Sequence, residues 1–260
     1  MAKRVIGVIS GKGGVGKTTL SVNLGAIAAL NGADIVLIDG DIGNPGVGLH
    51  LGLWGYSAGL QQVLAGKYTA EQATIIHPST GIRVLPSTLE YERSAKLSNL
   101  KNVVKAASQS LAIIDSPPGV SSSAEDILSS CTEAIILVTP DIPSVMGAAK
   151  IIELAKECNT KVSGLVLNRV QNKKYEMHPK EIEHTCEARV LAVIPEDKAV
   201  PESISARIPA VMYAPKSPVS LKLYELAEEL DLVSERAARG SSGGFLSGIM
   251  AFFRRIFGGE

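Results

Sequence analysis

Aromatic side chains are scarce in this chain of 260 residues: Phe, Trp and Tyr make up 4%, and none of the four Phe occurs before position 245. A core must then be built from Val, Ile, Leu and Ala, as is usual for a parallel sheet buried under helices. Cysteine is nearly absent too. Cys131, Cys158 and Cys186 are odd in number and far apart, which excludes a disulfide framework or a CxxC metal or redox pair and leaves buried reduced thiols as the expectation. Long apolar runs are missing: stretches such as AIILV at 134–138 fall far below the ~18 residues of a membrane-spanning helix. Only six residues separate Lys3-Arg4 from a Gly- and Lys-rich loop, so no signal peptide is expected. Charge of one sign is missing as well, since 26 basic residues balance 26 acidic ones. No global excess points to nucleic acid, and an electrostatic partner must be sought in a local patch.

What is present is an ordinary globular mixture, 45% hydrophobic and 20% charged, which excludes a disordered or collagen-like chain. Short apolar runs recur at 4–10, 34–39, 82–86, 111–115, 133–139, 162–168 and 189–195, and segments with helical spacing, such as Leu20–Leu30, Ser144–Lys156 and Leu221–Leu230, lie between them. The alternation predicts βαβ units in an α/β, doubly wound, mostly parallel sheet over residues 1–233. Residues 234–244, SERAARGSSGG, carry Gly and Ser without apolar periodicity and read as a flexible linker to a last helix at 245–257.

Directly after the first strand and before a helix lies GKGGVGKTT, in which Gly11, Gly16, Lys17 and Thr18 satisfy the pattern GxxxxGK[ST]. In such a loop the backbone N–H groups of Gly11, Lys12, Gly13, Gly14, Val15, Gly16 and the following Lys17, Thr18 and Thr19 turn inward on phosphate oxygens. Lys17 would neutralise β and γ charge, and the Thr18 hydroxyl would ligate Mg2+. ATP and Mg2+ are therefore the expected ligands of a P-loop NTPase domain. Two further strands end in carboxylates, Asp39-Gly40-Asp41 and Asp115-Ser116-Pro117-Pro118-Gly119. These are the strand ends where α/β ligands bind, and a carboxylate there can hold the magnesium hydration shell or orient an attacking water.

The second lysine, Lys12, one residue after the first glycine, makes the loop resemble the deviant Walker A form of the MinD/ParA family, which also includes the nitrogenase iron protein and Mrp. The resemblance implies an ATPase. It implies that Lys12 crosses a dimer interface to touch phosphate on the opposite subunit, so that ATP drives a sandwich homodimer. It gives Asp41 the water-orienting role, makes Asp115 the Walker B carboxylate and lets Asp39 support the magnesium shell. Asn168-Arg169 and Pro195-Glu196-Asp197 stand where MinD-like proteins hold adenine, which implies base contacts from Asn168, Arg169, Pro195 and Asp197.

On a wheel of about 100° per residue, Phe245, Leu246, Ile249, Met250, Phe252, Phe253, Ile256 and Phe257 gather on one arc of about 160°, with Arg254 and Arg255 on the polar side. Residues 236–260 carry four Arg and one Glu. A basic, aromatic, amphipathic helix on a flexible tether predicts a segment that lies in a bilayer interface and prefers anionic lipid. The tail is also similar to the membrane-targeting helix of the MinD branch, which implies a cytoplasmic protein, peripheral on the inner face of the cell membrane, with an activating or cargo protein of the Min type as partner and spatial positioning of division machinery as its role. A ParA-like partition ATPase would share the nucleotide site but calls for a basic body, so no nucleic acid is expected; a flagellum- or chemosensory-placing relative would share both site and tail. The sequence departs from the MinD form at IGNPGVGLH after Asp41 and in DIPSVMGAAK after Pro140, which lacks the acidic residues associated with partner binding there. His50, His77, His178 and His184 are expected to be surface residues, not a metal cluster, because the last two, six apart, fall on different helix faces.

Overall fold

A computed structural model describes residues 3–90 and 92–233. The linker at 234–244 and the amphipathic segment at 245–257 lie outside the described residues. Among the described residues there are eight strands: β1 (Arg4–Ile9), β2 (Ile35–Asp39), β3 (Ile75–Ile76), β4 (Arg83–Leu85), β5 (Leu111–Asp115), β6 (Glu133–Val138), β7 (Lys161–Val170) and β8 (Val190–Pro195). They form one sheet in the order β3-β4-β2-β5-β1-β6-β7-β8. Every pairing is parallel except that of β3 with β4 at the edge. The seven expected strands are all there. The addition is β3, two residues long, too short for any periodicity to announce it.

The apolar runs are continuous because both faces are covered. In β5, Leu111 and Ile113 enter one core while Ala112 and Ile114 enter the other, and β2 divides Ile35 and Leu37 from Val36 and Ile38 in the same way. One layer contains α1 (Lys17–Leu30), α9 (Ala199–Ala206), α10 (Ala210–Tyr213) and α11 (Pro218–Glu229), with the one-turn α2 (Val47–His50) beside α1. The other contains α3 (Leu60–Leu64), α4 (Ala70–Ala73), α5 (Leu100–Ala106), α6 (Ser122–Ser130), α7 (Ile142–Glu157) and α8 (Pro179–Cys186). Helix starts follow capping chemistry: the side chains of Ser121, Asp141 and Ser217 accept the N–H of Ala124, Ser144 and Ser220. α1 instead begins at left-handed Gly16 with no side-chain cap. Its first turn is formed by Lys17, Thr18 and Thr19, three residues before the apolar periodicity begins.

Two expectations need correction. Of the three free thiols only Cys186 is buried, while Cys131 and Cys158 are partly covered. His178 and His184 are exposed, but His77 is buried with Nδ1 2.8 Å from Thr80 Oγ1, and His50 is half-buried with Nδ1 2.9 Å from the Gly46 carbonyl. Both rings are held by local hydrogen bonds of the kind that make a buried imidazole affordable. Among the described residues no helix is long and apolar enough to cross a membrane.

Candidate functional site

β1 sits between β5 and β6, both parallel to it, so the strand order reverses around it and a crevice opens at its C-terminal end. The loop 11–16 lies there. Gly11 is pressed against the backbone of Gly147 on α7: a Cβ at position 11 would stand 2.3 Å from that carbonyl. Gly16 has φ 100°, and a Cβ there would meet the Asn168 amide at 2.5 Å. Only glycine fits both conditions. The Ser10 hydroxyl closes the loop by donating to the Lys12 carbonyl at 2.7 Å, and the Gly119 N–H donates to the Ser10 carbonyl at 3.1 Å, joining this loop to the one after β5.

Lys17 is 7% exposed and its Nζ donates to Ser10 Oγ at 3.0 Å. Burial pulls its pKa down, against the raising charges of Asp115 and Asp41. An ammonium this desolvated gains strongly from an anion placed beside it. Asp39 and Asp115 are register partners on adjacent parallel strands, and both are fully enclosed. Thr18 Oγ1 donates to Asp115 Oδ2 at 2.6 Å and Ser21 Oγ to Oδ1 at 3.1 Å. Burial nevertheless pushes Asp115 up to about 6. Asp39 is also raised well above its ordinary value, by burial first and then by the charge of Asp115. Its oxygens bind the turn that follows: Oδ1 accepts Asp41 N–H, and Oδ2 accepts Gly46 N–H at 3.1 Å and Val47 N–H at 3.0 Å. Asp39 thus shapes the 41–47 turn, which curls back until a Cβ on Gly46 would lie 3.2 Å from Thr18. Asp41 itself stays partly exposed at the mouth.

This donor set fits magnesium bound with phosphates. Among the described residues no group of three or more His, Cys, Asp or Glu forms a metal cage. Mg2+ commonly uses one or two protein oxygens and takes the rest of its shell from phosphate and water. Thr18 and Asp115 can supply such oxygens, and a cation beside two buried carboxyl groups would offset the repulsion and burial that raise both.

Lys12 has a different setting from Lys17. Its ammonium is at the rim, 46% exposed, and 3.0 Å from Asp141 Oδ1 at the start of α7. At the opposite end of the crevice, β7 and β8 slip register after Leu167, and Arg169 takes φ 61°. This bulge aims Asn168 Nδ2 at the Val15 carbonyl, 2.7 Å away, and Arg169 at the Gly14 carbonyl, 3.0 Å. Beside them is a cavity of about 150 Å³ lined by Asn168, Arg169, Pro195, Asp197 and Thr19 together with Ile194, Val200 and Ile204. The Asp197 carboxylate accepts Ala199 N–H at 2.9 Å and Val219 N–H at 3.2 Å, pinning α9 to α11. It lines the cavity as a clip between helices. Sequence reasoning missed Ser10, which precedes the motif, and the apolar wall, whose residues are ordinary strand and helix positions with no local signal.

The sheet, the loop after β1 and the strand-end carboxylates define a P-loop nucleotide-binding protein. Residues 6–210 match the family model described as the CobQ/CobB/MinD/ParA nucleotide binding domain, and the chain belongs to this family. It is 37% identical over 229 residues to an uncharacterized ATP-binding protein of Methanocaldococcus jannaschii, with 86% of each chain covered. It is 31% identical over 219 residues to septum site-determining protein MinD of Thermotoga maritima, covering 79% of this chain and 80% of that one. Among solved structures, septum site-determining protein MinD from Pyrococcus horikoshii, complexed with Mg-ADP, matches with a TM-score of 0.84 at 31% identity, over 88% of this chain and 96% of that one.

Proposed function

We propose that the protein is an ATP-dependent dimerising ATPase that associates peripherally with the inner face of the cell membrane through residues 245–257 and acts in the spatial positioning of cell division machinery. The observation that carries the reading is the division of labour between two lysines in one loop. Lys17 is enclosed beneath the loop, where it can meet the phosphates of its own nucleotide. Lys12 stands at the rim, where it can reach a nucleotide held by a second copy.

The chemistry asked of the chain is electrostatic clamping and orientation. Loop N–H groups and the uncapped start of α1 would face the phosphates, Lys17 would meet the β and γ charge, and Thr18 and Asp115 would hold magnesium, which when bound offsets phosphate charge. Asp41, at the mouth, orients the attacking water. Asn168, Arg169 and Pro195 receive the base in the cavity beside the loop. One short amphipathic helix binds membrane weakly, whereas two on one dimer add their affinities. Dimer formation therefore places the protein on anionic lipid, hydrolysis releases it, and a Min-type partner protein would read or reset the bound state.

The test is sedimentation with anionic liposomes in Mg-ATP and in Mg-ADP, for the protein and for Phe253→Glu, with DNA in place of lipid as a parallel arm. ATP-dependent pelleting with lipid that Phe253→Glu abolishes supports the reading. ATP-dependent binding to DNA without lipid binding would replace it with a partition-type role.

A further inference from the structure

We propose that Gln61 is a positioning residue for Asp41. It stands in the five-residue α3, is 3% exposed, and uses both donors of its amide and one bond to its carbonyl oxygen. Oε1 accepts the Thr88 N–H at 2.9 Å; Nε2 donates to the Thr88 carbonyl at 2.9 Å and to the Ile42 carbonyl at 3.3 Å. The first two bonds lock the side chain to the segment after β4, and the third reaches the residue directly after Asp41.

The surroundings show why that third bond matters. The turn is fixed at its start, where Asp39 holds the Asp41 N–H, and at its end, where Asp39 holds Gly46 and Val47. Between these anchors the bonds are local: Ile42 N–H to the Gly40 carbonyl, and Asn44 N–H to Asp41 Oδ1. Among the described residues, Gln61 alone gives residues 42–45 a hydrogen bond from another part of the chain. The segment it stands on is itself tied back to β2, since Ser87 Oγ donates to the Asp39 carbonyl at 2.7 Å. Gln61 therefore closes a ring from β2 through 87–88 and α3 to Ile42, and sets where the Asp41 backbone stops. Geometry at this level governs rate more than affinity, because a misplacement of about 1 Å in an orienting group can cost about 100-fold.

Gln62 supplies the internal control. Its Oε1 accepts the Gly59 N–H at 3.0 Å and its Nε2 lies 3.3 Å from Thr88 Oγ1, so its hydrogen bonds dock α3 to the same segment and none goes to Ile42.

The inference rests on the reading that Asp41 orients the attacking water, and the experiment separates the two. Steady-state ATP hydrolysis and nucleotide affinity are measured on the full chain for wild type, Asp41→Ala, Gln61→Ala, Gln61→Glu and Gln62→Ala. The expected result is a kcat about 10-fold or more below wild type for both Gln61 variants with ATP affinity changed less than about 3-fold, and a kcat near wild type for Gln62→Ala. Gln61→Glu should recover rate as the pH falls, since a protonated carboxyl again donates a hydrogen to one of the carbonyls. If Asp41→Ala is inactive while Gln61→Ala turns over like wild type, or if Gln62→Ala loses as much as Gln61→Ala, the inference is overturned and the Asp41 reading survives. If Asp41→Ala turns over normally, both fall.

Discussion

The ammonium of Lys12 pairs with Asp141 Oδ1 at 3.0 Å, and the same oxygen accepts the Ser144 N–H that begins α7. Burial pushes the Asp141 carboxyl up, but hydrogen bonds from Thr139, Lys12 and Ser144 outweigh it and hold it below the usual carboxylate range. The lysine proposed to reach a second subunit is thus held first by its own chain. Asp141→Asn keeps a good helix cap and removes the ion pair, worth about 0–1 kcal/mol at an exposed site. ATP-dependent dimers should then form at a protein concentration up to about 5-fold lower, read by sedimentation equilibrium; weaker dimers would mean that Asp141 supports the interface instead.

The enclosed Asp39–Asp115 pair makes the nucleotide-free protein sensitive to pH. Burial lifts Asp115 to about 6 and Asp39 well above its ordinary value, so over that interval the folded state binds more protons than the unfolded one. Stability should therefore be highest below about pH 4 as far as this pair is concerned, and fall as pH rises through about 6. Asp115→Asn should stabilise the nucleotide-free protein at neutral pH by on the order of 1–3 kcal/mol and remove Mg-ATP binding. Urea unfolding with and without Mg-ATP checks both signs, and a destabilised, ATP-binding variant would contradict the prediction.

Two loop glycines should respond differently to alanine. At Gly11 the new methyl would drive into the Gly147 backbone, whereas at Gly14, with φ 73°, nothing lies within 4 Å. Gly11→Ala should cost about 1–3 kcal/mol or more by overpacking, and Gly14→Ala about 1–2 kcal/mol for its left-handed backbone. Thermal unfolding that ranks them in the reverse order would show that the loop and α7 can separate at little cost.

Much of this was legible from residue patterns. The seven strands announced themselves because a sheet covered on both faces needs unbroken apolar runs, and the GxxxxGK[ST] spacing placed the loop on a strand-to-helix junction. The pairing of Asp39 with Asp115 was not legible, since it depends on β5 inserting between β1 and β2. Neither was the aim of Asn168 and Arg169, which comes from a bulge that no local signal marks. Asp197 was given by the resemblance as a base contact, and what no pattern showed is that its carboxylate, at the edge of the cavity, also accepts the N–H of Ala199 and Val219.

Asn168 offers a test of the base end. Its amide is within 2.7 Å of the Val15 carbonyl at the edge of the cavity, close enough to exchange that partner for a base edge. Asn168→Ala should weaken ATP binding about 3- to 10-fold, the worth of one hydrogen bond, and narrow the preference for ATP over GTP in competition binding. An unchanged preference would place base recognition on backbone groups.

The most direct measurement is sedimentation velocity of Asp41→Ala in Mg-ATP and in Mg-ADP, beside the same protein carrying Lys12→Ala as well. Dimers in ATP, monomers in ADP, and monomers in both nucleotides once Lys12 is removed, with ATP still bound, are the predicted result. Monomers throughout, or dimers indifferent to Lys12, would contradict the central claim that the rim lysine couples ATP to the pairing of two chains.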